Sequence, residues 1–143
     1  MDHQTLSLAV RWLHVAAMAL AFGGALLVAW LAWRLPAERV LDIAVRYEQL
    51  FWAAAGVLVM TGVGNLGAFG ASLPGPGTAW GATLTSKLTL VAVLILISLP
   101  RSLAVARLSA GGAVAAPTLR AVYGITVGLL ALIVGLAEVL AHG

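Results

Sequence analysis

The stretch AVYGITVGLLALIVGLAEVL, Ala121–Leu140, decides the fold: twenty consecutive residues carry one charged side chain, Glu138. At about 1.5 Å rise per residue such a run crosses the ~30 Å hydrocarbon core of a bilayer as a single α-helix. Three further stretches of the same character, Leu6–Trp33, Leu50–Leu73 and Ala79–Leu99, lie upstream of it. The whole chain of 143 residues is 62% hydrophobic and 9% charged, outside the range of soluble globular proteins. Continuous Leu, Ala and Val runs do not alternate as the strands of a membrane barrel do. The expected fold is therefore all-α: an integral membrane four-helix bundle in one transmembrane domain, residues 1–143, with helices about 6–33, 48–73, 79–104 and 117–141.

Punctuation between the runs agrees with this division. Arg34 to Glu48 reads as a polar connector of alternating charge, Leu73-Pro74-Gly75-Pro76-Gly77 as a tight uncharged loop, and Ser109-Ala110-Gly111-Gly112 as a flexible link before Pro117, which suits a first helical turn. The first run follows Asp2 and His3 and exceeds the ~7 to 15 residues of a signal-peptide core, so it is expected to remain in the mature protein. Arg34, Arg39, Arg46, Arg101, Arg107 and Arg120 fall in or beside the first and third connectors, whereas Arg11 and Lys87 lie toward the opposite face. The positive-inside rule then places the connectors in the cytoplasm and both termini outside, in a multi-pass protein of a bacterial-type inner membrane. The arginines mark orientation and form no compact patch with interleaved aromatics, so the net charge of +3 does not indicate nucleic acid. With no cysteine there is no disulfide, thiolate cluster or Cys nucleophile.

Ionisable groups are costly in hydrocarbon, which makes Arg11, His14, Lys87, Glu138 and His142 candidates for function. Counting about 20 residues from the inner boundary puts His14 and Glu138 near the outer edge of the apolar layer, Lys87 about 10 Å inside it and Asn65 about 8 Å inside. Gly124, Gly128, Ala131, Gly135, Glu138 and His142 form a 4-3-4-3-4 stripe of the kind that lets helices approach closely, and it is read here as interior-facing. Arg11, His14, Met18, Ala21 and Ala25 line a similar face of the first helix, and Ala54, Leu58, Thr61 and Asn65 one of the second. Three helices thus direct polar groups toward one outer half-membrane pocket.

Each residue also has a purely structural reading. Arg11 can snorkel to headgroups, His14 can hydrogen-bond a neighbouring helix, and His142, as the penultimate residue, can fray into water. Lys87 and Glu138 can form an ion pair that fixes packing, and Asn65 can be an interhelical hydrogen-bond donor. Met18 and Met60 can be core fillers, and Trp12, Trp30, Trp33, Trp52 and Trp80 interfacial anchors.

Arg11-Trp12-Leu13-His14 at the start of the first run, Thr61-Gly62 in the second, and Gly81, Lys87-Leu88 and Arg101 in the third resemble the CopD family of copper-resistance membrane proteins. The first-helix His and third-helix Lys are also similar to four-helix proteins of the HemJ type, associated with protoporphyrinogen oxidation and haem. The CopD resemblance implies copper homeostasis or transfer at the outer-side pocket, with a periplasmic copper or redox partner. His14 is then the principal ligand, Met18 an auxiliary one, and His142 and His3 further donors suited to Cu(I). In the alternative, haem b takes His14 as axial ligand, opposite His142, with Arg11 and Lys87 neutralising propionates. Glu138 and Asn65 complete the polar lining in either case. A third reading is a non-catalytic subunit of a homo- or hetero-oligomeric membrane complex. Whether the chain is an enzyme stays open, but no phosphate loop, His-Glu-x-x-His or Ser-His-acid constellation points to hydrolysis or group transfer.

Overall fold

The computed structural model describes residues 3–67, 74–111 and 116–142. They form four helices, α1 (His3–Arg34), α2 (Ala37–Gly67), α3 (Ala79–Ser109) and α4 (Ala116–His142), each long and apolar enough to cross a membrane. Each helix packs against its neighbours in chain order and α4 closes back on α1, so the bundle is an antiparallel ring. The start of α1, the end of α2, the start of α3 and the end of α4 lie at one end, called here the terminal end. The α1–α2 turn, the end of α3 and the start of α4 lie at the other, the connector end.

Two boundaries differ from the sequence expectation. The stretch 34–48 is not a loop: α2 begins at Ala37, and only Leu35 and Pro36 separate it from α1. Val40, Leu41, Ala44, Tyr47, Glu48 and Phe51 recur at helical spacing on a buried face, with Glu38, Arg39, Asp42 and Arg46 exposed between them. A charged surface on an amphipathic helix had the composition of a loop. α3 likewise continues to Ser109, carrying Pro100 inside it. The expected end of α2 at residue 73 falls outside the described residues.

Helix ends are satisfied by specific partners. Pro36 has no N–H to give the Ala32 carbonyl four residues before it, and Arg120 of α4 donates its Nε to that oxygen at 2.8 Å. At the start of α3, Thr78 caps the helix by accepting from the Gly81 amide at 3.0 Å. Gly81 is required there, because a Cβ would sit 2.1 Å from the Gly75 carbonyl oxygen. Close approach also governs the α1–α2 contact: a Cβ on Gly24 would lie 2.6 Å from the Tyr47 ring. The core runs along Ala17, Ala21, Ala25, Val28 and Ala32 of α1, with Tyr47, Phe51, Leu119, Tyr123, Leu130 and Ile133 filling the space that those small residues leave.

The α4 stripe faces the other way from the expectation. Gly124, Gly128, Ala131, Gly135, Glu138 and His142 are all exposed, and the buried face of α4 is Leu119, Tyr123, Thr126, Leu130 and Ile133. Large residues plus two polar groups that find partners make the better core here. The glycines give up no interior contact, since a Cβ at Gly124, Gly128 or Gly135 would meet nothing within 4 Å.

Candidate functional site

Two polar clusters lie in the bundle, one at each level. The first is centred on Arg101, 2% exposed, and Glu48, 7% exposed. Arg101 donates Nε to Glu48 Oε1 at 2.8 Å and Nη2 to Oε2 at 3.0 Å, a two-pronged pairing of guanidinium with carboxylate. Its remaining nitrogen, Nη1, donates to Thr126 Oγ1 at 2.8 Å, and Thr126 passes its own proton to the Val122 carbonyl. Tyr123 donates to Glu48 Oε1 at 2.6 Å and Ser102 to Oε2, while Trp52 donates to Ser102 at 2.9 Å. The guanidinium carbon lies 4.3 Å from the Phe51 ring centroid, with Tyr47 and Tyr123 also around it. Tyr47 in turn donates to the Ala21 carbonyl at 2.8 Å, which brings in α1.

All four helices are therefore joined through one ion pair. Glu48 accepts four hydrogen bonds from three residues, and every nitrogen of Arg101 is used. That saturation is what allows two full charges to stay within an apolar bundle. It also leaves neither charge available to a ligand.

The second cluster, toward the terminal end, contains His14 and Thr61, two of the residues singled out in the sequence. His14 is half-buried on α1, and its Nδ1 lies 2.7 Å from Thr61 Oγ1 of α2. Gly62 lies beside the ring, where an added Cβ would make an ordinary contact of 3.7 Å with His14 Cε1. Thr61 gives its hydroxyl proton to the Val57 carbonyl at 2.7 Å, so toward the histidine its oxygen can only accept. With that proton committed to Val57, the contact is satisfied by the tautomer that carries its proton on Nδ1, in which Nε2 keeps its lone pair. Met18, one turn along α1, is half-buried against the core. Lys87 of α3 is half-buried as well.

The other expected participants are placed differently. Arg11 is exposed and Asn65 half-buried. Glu138 and His142 keep each other's company on the outer face of α4, His142 Nδ1 lying 3.5 Å from the Glu138 carboxylate and 3.0 Å from its carbonyl, with side chains 70% and 77% exposed. Among the described residues no ion pair within 4.0 Å joins Lys87 to Glu138. His3 lies in the first turn of α1, and its side chain is outside the described residues. Among those residues no group of three or more His, Asp or Glu side chains gathers at metal-binding distance.

The buried ion pair is what sequence reasoning missed. Arg101 and Glu48 fall at the margins of the expected helices 79–104 and 48–73, where Arg101 reads as a marker of orientation and Glu48 as the end of a polar connector. The missing signal was periodic: Leu94, Ser98, Arg101 and Val105 repeat at 4-3-4, and Leu119, Tyr123, Thr126, Leu130 and Ile133 at 4-3-4-3. These place the charge and its partners on the same faces as the core.

Comparison with known proteins bears on residues of both clusters. Searches of curated proteins and of solved structures return no match. A family model described as copper resistance protein D matches residues 41–140, which include Glu48, Thr61, Lys87, Arg101 and Tyr123 and extend over most of α2 and α4 and all of α3. With four membrane-spanning helices and this match, the chain belongs to the copper resistance protein D family of membrane proteins.

Proposed function

We propose that this protein handles copper at the terminal end of the bundle, with His14 Nε2 as the principal donor and Met18 as an auxiliary thioether. The observation that carries the reading is the hydrogen bond between His14 and Thr61. By holding the proton on Nδ1 it aims an unprotonated Nε2 away from the helix contact, the arrangement in which a protein fixes a metal-binding imidazole through its other nitrogen. Imidazole and thioether together favour Cu(I) over harder cations.

Copper here is cargo. Two donors and the nearby positive charges of Lys87 and Arg11 make a weak resting site for a cation, which suits passing the ion on rather than storing it. The partner receiving or delivering it is a copper-binding or redox protein on the same side. By the distribution of arginines, that side is the outer face of a bacterial-type inner membrane, and the connector end faces the cytoplasm.

The test is copper(I) titration of the detergent-purified protein against a competing chelator, with visible spectra recorded before and after reduction. Wild type should bind copper and His14→Ala should lose it. A Soret band that disappears in His14→Ala would replace copper with haem, and copper binding unchanged by that substitution would overturn the site. A C-terminal reporter active only in the cytoplasm would reverse the assigned orientation.

A further inference from the structure

At the connector end, Arg34, Arg39, Arg46, Arg107 and Arg120 face Glu38 and Asp42, a local balance of five positive against two negative, or +3. Among the described residues none of these groups is ion-paired within 4.0 Å. Most of the arginines are simply exposed. Arg120 is not: it is half-buried between α4 and α1, its Nε fixed by the Ala32 carbonyl at 2.8 Å and its guanidinium carbon 4.5 Å from the Trp33 ring centroid. With Nε engaged and the flat face covered by indole, its two terminal nitrogens are the donors left over. One turn away on α1, the Arg34 guanidinium lies 5.7 Å from the Trp30 ring centroid.

Two guanidinium groups are thus arranged along a pair of exposed tryptophans at the end of a membrane-spanning helix, at the level where lipid headgroups meet hydrocarbon. We propose that Arg120, with Arg34 and the Trp30–Trp33 pair, forms a binding site for the phosphate of an anionic phospholipid. The terminal nitrogens of Arg120 present a planar fork that matches a phosphodiester oxygen pair, and the tryptophans cover the glycerol and upper acyl region. Uncancelled positive charge selects anionic lipids, because a zwitterionic head carries its own ammonium beside the phosphate. Specificity comes from the pinned Arg120, and the looser arginines add attraction that salt screens.

The experiment compares thermal unfolding midpoints of the full chain in nanodiscs of phosphatidylglycerol and of phosphatidylcholine. Wild type should gain several degrees in the anionic lipid. Arg120→Gln should lose most of that gain whatever its baseline midpoint, Arg120→Lys should recover part of it, and Arg39→Gln, which removes the same charge elsewhere at the same end, should keep nearly all of it. Equal loss in Arg39→Gln and Arg120→Gln would reduce the effect to diffuse charge and overturn the site, as would a gain that survives Arg120→Gln. A matching shift on adding millimolar inorganic phosphate in phosphatidylcholine would assign the site to free phosphate and reject the lipid.

Discussion

The cluster around Arg101 and Glu48 and the cluster around His14 and Thr61 lie about 20 Å apart along α2, counted over the residues from Glu48 to Thr61. Both use α2 as a spine, yet they treat polar groups in opposite ways. At Glu48 every charged atom is consumed by four surrounding donors, with aromatic rings closing the remaining directions. At His14 one nitrogen is tied down and the other is left over. A saturated group specifies how helices pack, whereas a half-satisfied one on a fixed ring can meet a ligand. Polarity within a membrane bundle therefore does not mark the site by itself. The count of unmet donors and acceptors distinguishes the two clusters.

The largest effect should come from breaking the saturated cluster. Glu48→Leu or Arg101→Met leaves one buried group with its partner gone and should destabilise the bundle by about 3–5 kcal/mol, read as unfolding in detergent with increasing denaturant. The double replacement Glu48→Leu with Arg101→Met should cost less than either single change, because no uncompensated charge remains. If the double variant were as unstable as the sum of both, the account of a mutually dependent pair would be wrong. A step down in size is Gly24→Ala, whose added methyl would meet the Tyr47 ring at 2.6 Å. Tyr47 is fixed by its bond to Ala21 and its place beside Arg101, so it cannot easily yield. A loss of about 1–3 kcal/mol is expected from such overpacking, and Gly23→Ala, with nothing within 4 Å, is the neutral control.

How legible these regions were in the sequence follows from the same contrast. Four membrane helices could be read because apolar length is a property of each segment taken alone. His14, Thr61 and Lys87 could be singled out because polar residues inside apolar runs stand out against their neighbours, and Met18 because it lies one turn from His14 on the same face. Arg101 and Glu48 sit where the runs are already thinning, at the edges of the expected helices, and their pairing appears only when three helices are brought together. The α4 stripe failed for a related reason. Small-residue spacing says that close approach is permitted, not what approaches, and in the folded chain Tyr123 and Thr126 turn inward to serve Arg101 and Glu48. That rotation carries Gly124, Gly128, Glu138 and His142 to the outside. Glu138 then has His142 beside it on that outer face, and no ion pair within 4.0 Å joins it to Lys87 among the described residues.

The smallest expected stability change tests the other half of the comparison. Thr61→Val keeps the shape of the side chain but removes the oxygen that accepts from His14 Nδ1. The α1–α2 contact loses one hydrogen bond, worth about 1 kcal/mol, so the protein should stay folded. Copper affinity should fall more than stability does, by about 10–100-fold, as when the outer partner of a metal-binding histidine is removed. Thr61→Ser, which retains the hydroxyl and its route to the Val57 carbonyl, should restore most of that affinity without needing to restore packing. The decisive ratio is therefore Val against Ser at one position. If both variants bind copper alike, Thr61 is a packing residue, the proton on Nδ1 is not what prepares His14, and the terminal-end cluster loses the asymmetry that sets it apart from Arg101 and Glu48.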